Sequence, residues 1–345
     1  MASLESVFDR DLLLSYMSAD PIRQTPFWQS GAFASDNRIP KLLAAGSQDF
    51  TVPYIMDIDG NLESNYSNTI LTDIAMPRGI EAGKMKGMVN YLNEGYVEAN
   101  LTRALTGVEP LREIAKQIDG VWAQQAEIRA VATVNGVLNF DQANGKALSL
   151  DISKATADAT SKFTVDAFID AEALMQEKYQ GNGAIIVHPK VAAAMRKQNL
   201  IEKLNFSSDL PPVEVYNGRA VVQSTRGTII ESDKGTVIGT GANAKYVSML
   251  ANANSFAAES VANSRDLILS ATEQTGNGGG HVTLWTRRDM LVHPMGFSFN
   301  TDAVLTGGTK NEALSASWSD LTNAANWSMT MDAEKVPFRF LITNI

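Results

Sequence analysis

The 345-residue chain contains no cysteine. That excludes disulfides, thiolate nucleophiles and cysteine-ligated zinc, and leaves the redox compartment open. Long apolar runs are missing too. No window approaches the roughly 18 uninterrupted apolar residues of a membrane-crossing helix, so no membrane span is expected. The first residues, MASLESVFDRDLLLSYMSAD, place Glu5, Asp9, Arg10 and Asp11 where a secretory signal needs a basic start and a clean apolar stretch. The chain is therefore expected to work in the compartment where it is made. There is no basic excess: 29 Lys and Arg stand against 38 Asp and Glu, a net charge of −9. A dedicated nucleic-acid binder carries a basic patch or a strongly basic domain. The balance still allows nucleic acid to be enclosed without being gripped.

Catalytic patterns are equally sparse. Of the three histidines, His188, His281 and His293, none stands in a metal-ligand spacing. His188 and His293 each precede a proline at the end of an apolar run and read as structural. No G-x-S-x-G elbow is present. Asp57 and Asp59 lack the further carboxylates of a calcium loop and read as a solvated turn. The segment Gly239-Thr-Gly241-Ala-Asn-Ala244, with Glu259 about 20 residues on, matches a dinucleotide fingerprint in outline. It lacks the following helix and second parallel strand, so a glycine turn between strands is the simpler reading. The alternative it leaves is a nucleotide-binding α/β enzyme using the Gly239–Gly241 turn. No catalytic, cofactor-binding or metal site is assigned.

What is present is structural. Hydrophobic residues make up 44% of the chain, enough for an ordinary core, and 345 residues suggest one to three domains. The strongest feature is residues 109–136, EPLREIAKQIDGVWAQQAEIRAVATVNG. Leu111, Ile114, Ile118, Val121, Trp122, Ile128 and Val131 recur at three- and four-residue steps, the stripe of one long amphipathic helix. Pro110 suits its first turn and Gly136 its stop. Glu113 and Asp119 read as solvent-facing, as do Lys116, Gln124, Gln125 and Arg129. Gly120 inside the helix marks either a bend or a close packing contact. A helix of this length without a reactive group is expected to serve as a beam.

Around it, residues 3–17 read as a short helix and 18–48 as an extended arm whose Phe27 and Trp28 need a surface to dock on. Residues 50–92 read as strand and turn. Ile70, Thr72, Ile74 and Met76 alternate, as do Met85, Gly87, Val89 and Tyr91, which predicts a polar hairpin carrying Arg78, Glu81, Lys84 and Lys86. Such a hairpin is marginal alone and needs a partner surface. A helix is expected over Glu94–Thr106 and a loop over Asn139–Ser161. Then come a helix capped by Thr164, a strand at Ala184–His188, a helix from Pro189, and strands 213–216 and 219–224 joined by Asn217-Gly218. Strands 281–287 and 290–299, with a turn near Arg288-Asp289, precede a polar stretch and a last strand at Val336–Ile342.

This α+β order, with the segments SGAFASD (30–36), ALTGVEPLREIAKQIDGVWAQQAEIRAVATVNGV (104–137), RRDMLVHPMGFSF (287–299) and NWSMTMDAEKVPFRFLITN (326–344), resembles the major capsid proteins of tailed bacteriophages. The fold implied is the HK97-like shell fold, and the family is the gp13-like major capsid proteins. The resemblance implies an N-terminal arm at 1–49, an extended β-hairpin loop at 50–92, and a peripheral domain at 93–159 with the spine helix 109–136. It further implies an inserted axial domain at 160–270 and a return to the peripheral domain at 271–345, with 281–299 and 336–345 completing that domain's sheet.

The function implied is a coat protein that self-assembles through pentamers and hexamers into an icosahedral shell around a double-stranded DNA genome. It would be part of the virion, assembled in the bacterial host cytoplasm. Its partners would be copies of itself, with scaffolding, portal and decoration proteins. No coiled-coil segment precedes the arm, so a separate scaffold is expected. The candidate subunit contacts are Phe27, Trp28, Arg78, Glu81, Lys84 and Lys86. The alternatives within this architecture are an encapsulin-like cargo shell or another virion component.

Overall fold

The computed structural model describes residues 30–34, 49–56, 63–101, 110–181, 183–198, 200–204, 213–224, 244–262, 266–302 and 315–344. The expected helix at 3–17, the contacts Phe27 and Trp28, the turn at Asp59 and the Gly239–Gly241 segment lie outside these residues.

The amphipathic stripe forms helix α1 (Pro110–Ala143), 34 residues and about 50 Å long. Pro110 stands in its first turn, where no backbone donor is missed. The buried carboxylate of Glu98 accepts the Leu111 N–H at 3.3 Å, placing negative charge at the helix start. Ile118 and Trp122 are buried as the spacing required, and from Ala130 onward most residues are buried whatever their direction. Two charged residues read as solvent-facing are in fact interior. Asp119 lies 3.7 Å from the Arg288 guanidinium, and Arg129 donates to the Ala316 carbonyl at 2.9 Å. Burial pulls the Arg129 pKa down to about 10.

Gly136 does not stop the helix. A Cβ there would lie 2.0 Å from the Leu321 carbonyl oxygen and 2.4 Å from Trp327 Nε1, so glycine lets another segment press on the helix. The helix ends seven residues later, where Asp141 accepts the Leu148 N–H and the Ser149 hydroxyl, and Gly145 turns the chain at φ +97°.

Sixteen strands are described. In the first sheet the centre is β13 (His281–Pro294), with β4 (Asn90–Ala99) antiparallel along one edge. Along the other edge lie β11 (Phe256–Ala262) and β12 (Ile268–Thr272), and β1 (Phe33–Ala34) runs parallel to β11. The expected helix at Glu94–Thr106 is therefore corrected over 94–99, while 100 and 101 are helical: ten residues of β4 pair with β13, and tertiary pairing outweighs local propensity. The expected turn at Arg288-Asp289 is also absent. Arg288 points into the core and pairs with Asp266 at 3.1 Å, so β13 runs straight through. Its burial alternates, with Val282, Leu284, Thr286, Arg288 and Met290 on the inner face towards α1.

The second sheet has the order β5-β16-β10-β6-β9-β8-β7. These strands span β5 (Ser149–Asp151), β6 (Ala184–Val187), β7 (Glu202–Leu204), β8 (Val213–Tyr216), β9 (Arg219–Gln223), β10 (Tyr246–Ala251) and β16 (Phe338–Thr343). The expected Asn217-Gly218 hairpin joins β8 to β9, with Gly218 at φ +81°. One face, carrying Ile185, Val187, Leu250 and Leu341, packs under α2 (Val165–Ala173, capped by Thr164) and α3 (Pro189–Lys197). The other face, carrying Ile186, Met249, Phe338 and Phe340, joins the core that holds α1.

Sheet membership departs from the sequence reading twice. The C-terminal strand pairs with β10 and β5 and not with the strands of 281–299, while β11 and β12 join β13. Aromatic rings bridge the two sheets, with Phe33, Phe256, Phe338 and Phe297 stacked in sequence at 4.9, 5.0 and 6.2 Å.

The expected hairpin is present, shifted in register of sequence. Its strands are β2 (Asp49–Ile55) and β3 (Ala82–Met88), and residues 70–76 lie in the loop between them. Its root is fixed by Phe50 packing with Val89 and Leu291, and by the Lys86 N–H donating to Ser298 Oγ on β14 (Phe297–Phe299) at 3.0 Å. Strand β14 pairs with β15 (Trp327–Met329), which follows α4 (Trp318–Thr322). His293 is buried at this root between Phe50 and Trp327. Burial lowers its pKa from 6.5 to about 4, against a smaller opposing effect of a hydrogen bond with the Phe297 backbone.

Two outcomes follow. Gly136→Ala is expected to destabilise the monomer by about 1–3 kcal/mol through overpacking. Gly120→Ala, where a Cβ meets nothing within 4 Å, is expected to stabilise it by about 0.5–1 kcal/mol. Denaturant midpoints compare them, and an unaffected Gly136→Ala midpoint contradicts the close approach. For His293 the depressed pKa means that the unfolded chain takes up its proton first. Stability is full above about pH 6.5, falls as the pH drops, and levels off below about pH 4, a loss of roughly 3 kcal/mol at most. His293→Gln should flatten that part of the stability–pH curve; an unchanged slope would assign it elsewhere.

Candidate subunit interface

Residues 63–81 leave the hairpin strands without forming a strand or a helix. They nevertheless carry local order. Asn68 Oδ1 accepts the Ile70 N–H at 2.9 Å, Asn68 Nδ2 donates to Asp73, and the Asp73 N–H donates to the Ile70 carbonyl at 3.1 Å. This is an Asx-stabilised turn, built from the residue types that suit one. Leu71 stands within the turn and is 99% exposed. Nearby, Met76 is 89% and Ile74 82% exposed, and Tyr66, Ile70 and Ile80 are exposed as well. Scattered apolar residues on a surface need no explanation, but six within fifteen positions of one projecting loop mark a contact surface.

Of the contacts expected from the sequence, Arg78 and Glu81 lie in this segment, Lys84 and Lys86 lie on β3, and Phe27 and Trp28 lie outside the described residues. Arg78 folds back, its guanidinium donating to the Glu63 carbonyl, and so closes the base of the loop. Glu81 is exposed, and its carbonyl accepts the Met56 N–H at 2.9 Å beside the strand pair. Lys84 and Lys86 lie on the exposed face of β3, opposite the inward-facing Met85 and Gly87. The apolar residues are the stronger signal, and alternation hides them: Ile70, Ile74 and Met76 read as one face of a strand, while among the described residues no strand covers that face.

Elsewhere the described residues carry interior polar clusters whose geometry is structural. Arg219 has no exposed side-chain surface and donates to Glu172 at 2.7 and 2.9 Å, to Asn252 at 3.0 Å and to the Tyr179 carbonyl at 2.9 Å. The two Nη atoms of Arg339 donate to the carbonyls of Leu174, Ala333, Val336 and Phe338, and burial lowers its pKa to about 10. Among the described residues, no three His, Asp or Glu side chains are grouped to hold a metal, and no helix is long and apolar enough to cross a membrane.

No protein-family model matches the chain. The major capsid protein of Bacillus phage SPP1 is 25% identical over 336 residues, covering 96% of this chain and 95% of that one. Among solved structures, the Cyanophage Pam1 capsid asymmetric unit matches with a TM-score of 0.54 at 9% identity, covering 94% of this chain and 93% of that one. The capsid of Ralstonia phage GP4 matches with a TM-score of 0.50 at 9% identity, covering 81% and 89%. At such identities the structures establish the fold, an α+β capsid fold of the HK97-like kind. Neither the nucleotide-enzyme reading nor the cargo-shell reading gains support from these relatives. The chain thus shares the HK97-like capsid fold with these phage capsids and is similar along nearly its whole length to the major capsid protein of phage SPP1.

Proposed function

We propose that this chain is a tailed-phage major capsid protein, structural and not enzymatic, that assembles through pentamers and hexamers into an icosahedral shell enclosing double-stranded DNA. In this reading the loop at 63–81 lies across a neighbouring copy, the body around α1 is the peripheral part of each subunit, and the α2–α3 domain points towards the ring axis. Rings of identical subunits need head-to-tail contacts that close by rotation. The single observation carrying the reading is the loop: six large apolar side chains on and around a locally ordered turn, exposed among the described residues.

A scaffolding protein, a portal and decoration proteins are the further partners this reading entails, with assembly in the host cytoplasm. The net charge of −9 suits a container. A basic inner wall would hold DNA by counterion release, whereas an acidic chain leaves it mobile. Lys84 and Lys86 are proposed as flanking contacts of the loop, and Phe27 and Trp28 as anchors of the arm.

Replacing Leu71, Ile74 and Met76 together by Asp is expected to leave monomer circular dichroism and melting unchanged, since all three are more than 80% exposed. The same variant is expected to abolish rings and shells in sedimentation and negative-stain microscopy. Shells forming at wild-type yield would remove the loop from the interface.

A further inference from the structure

Helix α2 has a second uncovered stripe, distinct from the loop. Its inner face, Ala167, Phe168, Ala171 and Glu172, is buried, and Glu172 is locked on Arg219. That fixes the helix rotation. The outer face then presents Val165 and Ile169, with Ile169 50% exposed, and beside them Asp166 and Asp170 one turn apart. An apolar pair beside two carboxylates on a rigid helix is an interface pattern rather than a solvent face.

The complementary surface lies on α3. Lys190 and Lys197 are exposed there, Lys190 donating to the Tyr246 hydroxyl at 3.2 Å but carrying no carboxylate partner among the described residues, and the exposed Arg196 is neutralised by a two-pronged pair with Glu214 at 2.6 and 3.0 Å. Ala193 and Ala194 between them are half-buried and small, which lets a neighbouring helix approach. Within one copy the two helices do not meet through these charges. Helix α2 packs on β16 and β5, while α3 packs on β9, three strands from β16 across the sheet. No ion pair joins Asp166 or Asp170 to Lys190 or Lys197 among the described residues.

We propose that α2 of one copy docks on α3 of the next copy around the ring. Val165 and Ile169 pack against Ala193 and Ala194, and Asp166 and Asp170 face Lys190 and Lys197. A heterologous contact needs two different, mutually complementary surfaces on each subunit, and α2 and α3 supply one of each sign. The proposal rests on the ring-assembly reading above and names the surfaces that close the ring.

Charge exchange in the full-length chain tests it. Asp166→Lys with Asp170→Lys, or Lys190→Glu with Lys197→Glu, is expected to lower the assembled fraction at least about tenfold, because like charges then face each other. All four changes together should restore assembly to near the wild-type level. The cysteine-free background allows a second readout. Asp170→Cys with Lys197→Cys should give a ladder of oxidised multimers on non-reducing gels, whereas either single change should give dimers at most. If the wild-type chain forms rings but both charge-reversed variants assemble equally well, or the double-cysteine variant forms rings without a ladder, the α2–α3 contact is wrong and ring assembly stands. If the wild-type chain forms no rings or shells under any assembly condition, the assembly reading fails and this contact fails with it.

Discussion

One helix is shared by both sheets, and that shared burial is the constraint on which the rest of the molecule depends. Ile118 and Trp122 of α1 face β13, while Val134, Val137 and Leu138 share the same core with Phe338 and Phe340 of β16. Apolar contact alone would tolerate sliding along the helix. A polar chain prevents it. Trp122 Nε1 donates to Thr286 Oγ1 at 2.9 Å, Thr286 donates to Asp266 at 2.8 Å, and Asp266 holds Arg288, which also lies near Asp119. Each member is interior, so a one-residue shift would strand several polar groups without partners, at roughly 1–3 kcal/mol apiece. The network acts as a register pin between helix and sheet more than as a net source of stability.

The C-terminal segment is stitched to the same helix. Arg129 donates to the Ala316 carbonyl and Asn139 to the Thr322 carbonyl, both at 2.9 Å. Between them, the missing side chain at Gly136 admits Leu321 and Trp327, and Trp327 Nε1 itself donates to the Leu321 carbonyl at 2.8 Å. Residues 316–327 are thereby held along α1, and the chain that follows is delivered to β16 in the second sheet. The two sheets meet through the Phe256–Phe338 stack, so their relative placement is set by packed rings and not by a flexible linker.

Much of this was legible in the sequence wherever one local rule governed. The α1 stripe, the Thr164 cap and the Asn217-Gly218 turn each follow from spacing or turn chemistry alone. The misreadings share one physical cause: a long-range partner changed what a residue meant. Gly136 reads as a stop until Leu321 is seen against it. Arg288 reads as a turn residue until Asp266 is seen beside it. Asp119 and Arg129 read as solvent-facing because charge normally is, and both have partners far away in sequence. The β4 segment reads as helix because its strand character comes from pairing with β13. At the interface, the charged residues of the hairpin drew attention because they need explaining in isolation. The apolar ones, exposed among the described residues, carry more weight.

In the proposed shell, those exposed residues are the surfaces that neighbouring copies would cover. Burying one large apolar side chain contributes about 1.5–3 kcal/mol. The six on the loop therefore represent a substantial association energy, held off in the monomer because they are spread along an extended segment and cannot collapse onto one another. The Asn68–Asp73 turn presents Leu71 already ordered, so less conformational entropy is lost when a neighbour covers it. Repulsion among chains of net charge −9 works against indiscriminate aggregation. Each pairwise contact can then be modest, and closure supplies the rest: a subunit held on several sides at once meets its last contact at high effective concentration. Rigidity in the body and exposure at its extensions are thus two requirements of one task, and α1, which carries no reactive group in use, meets the first so that the loop can meet the second.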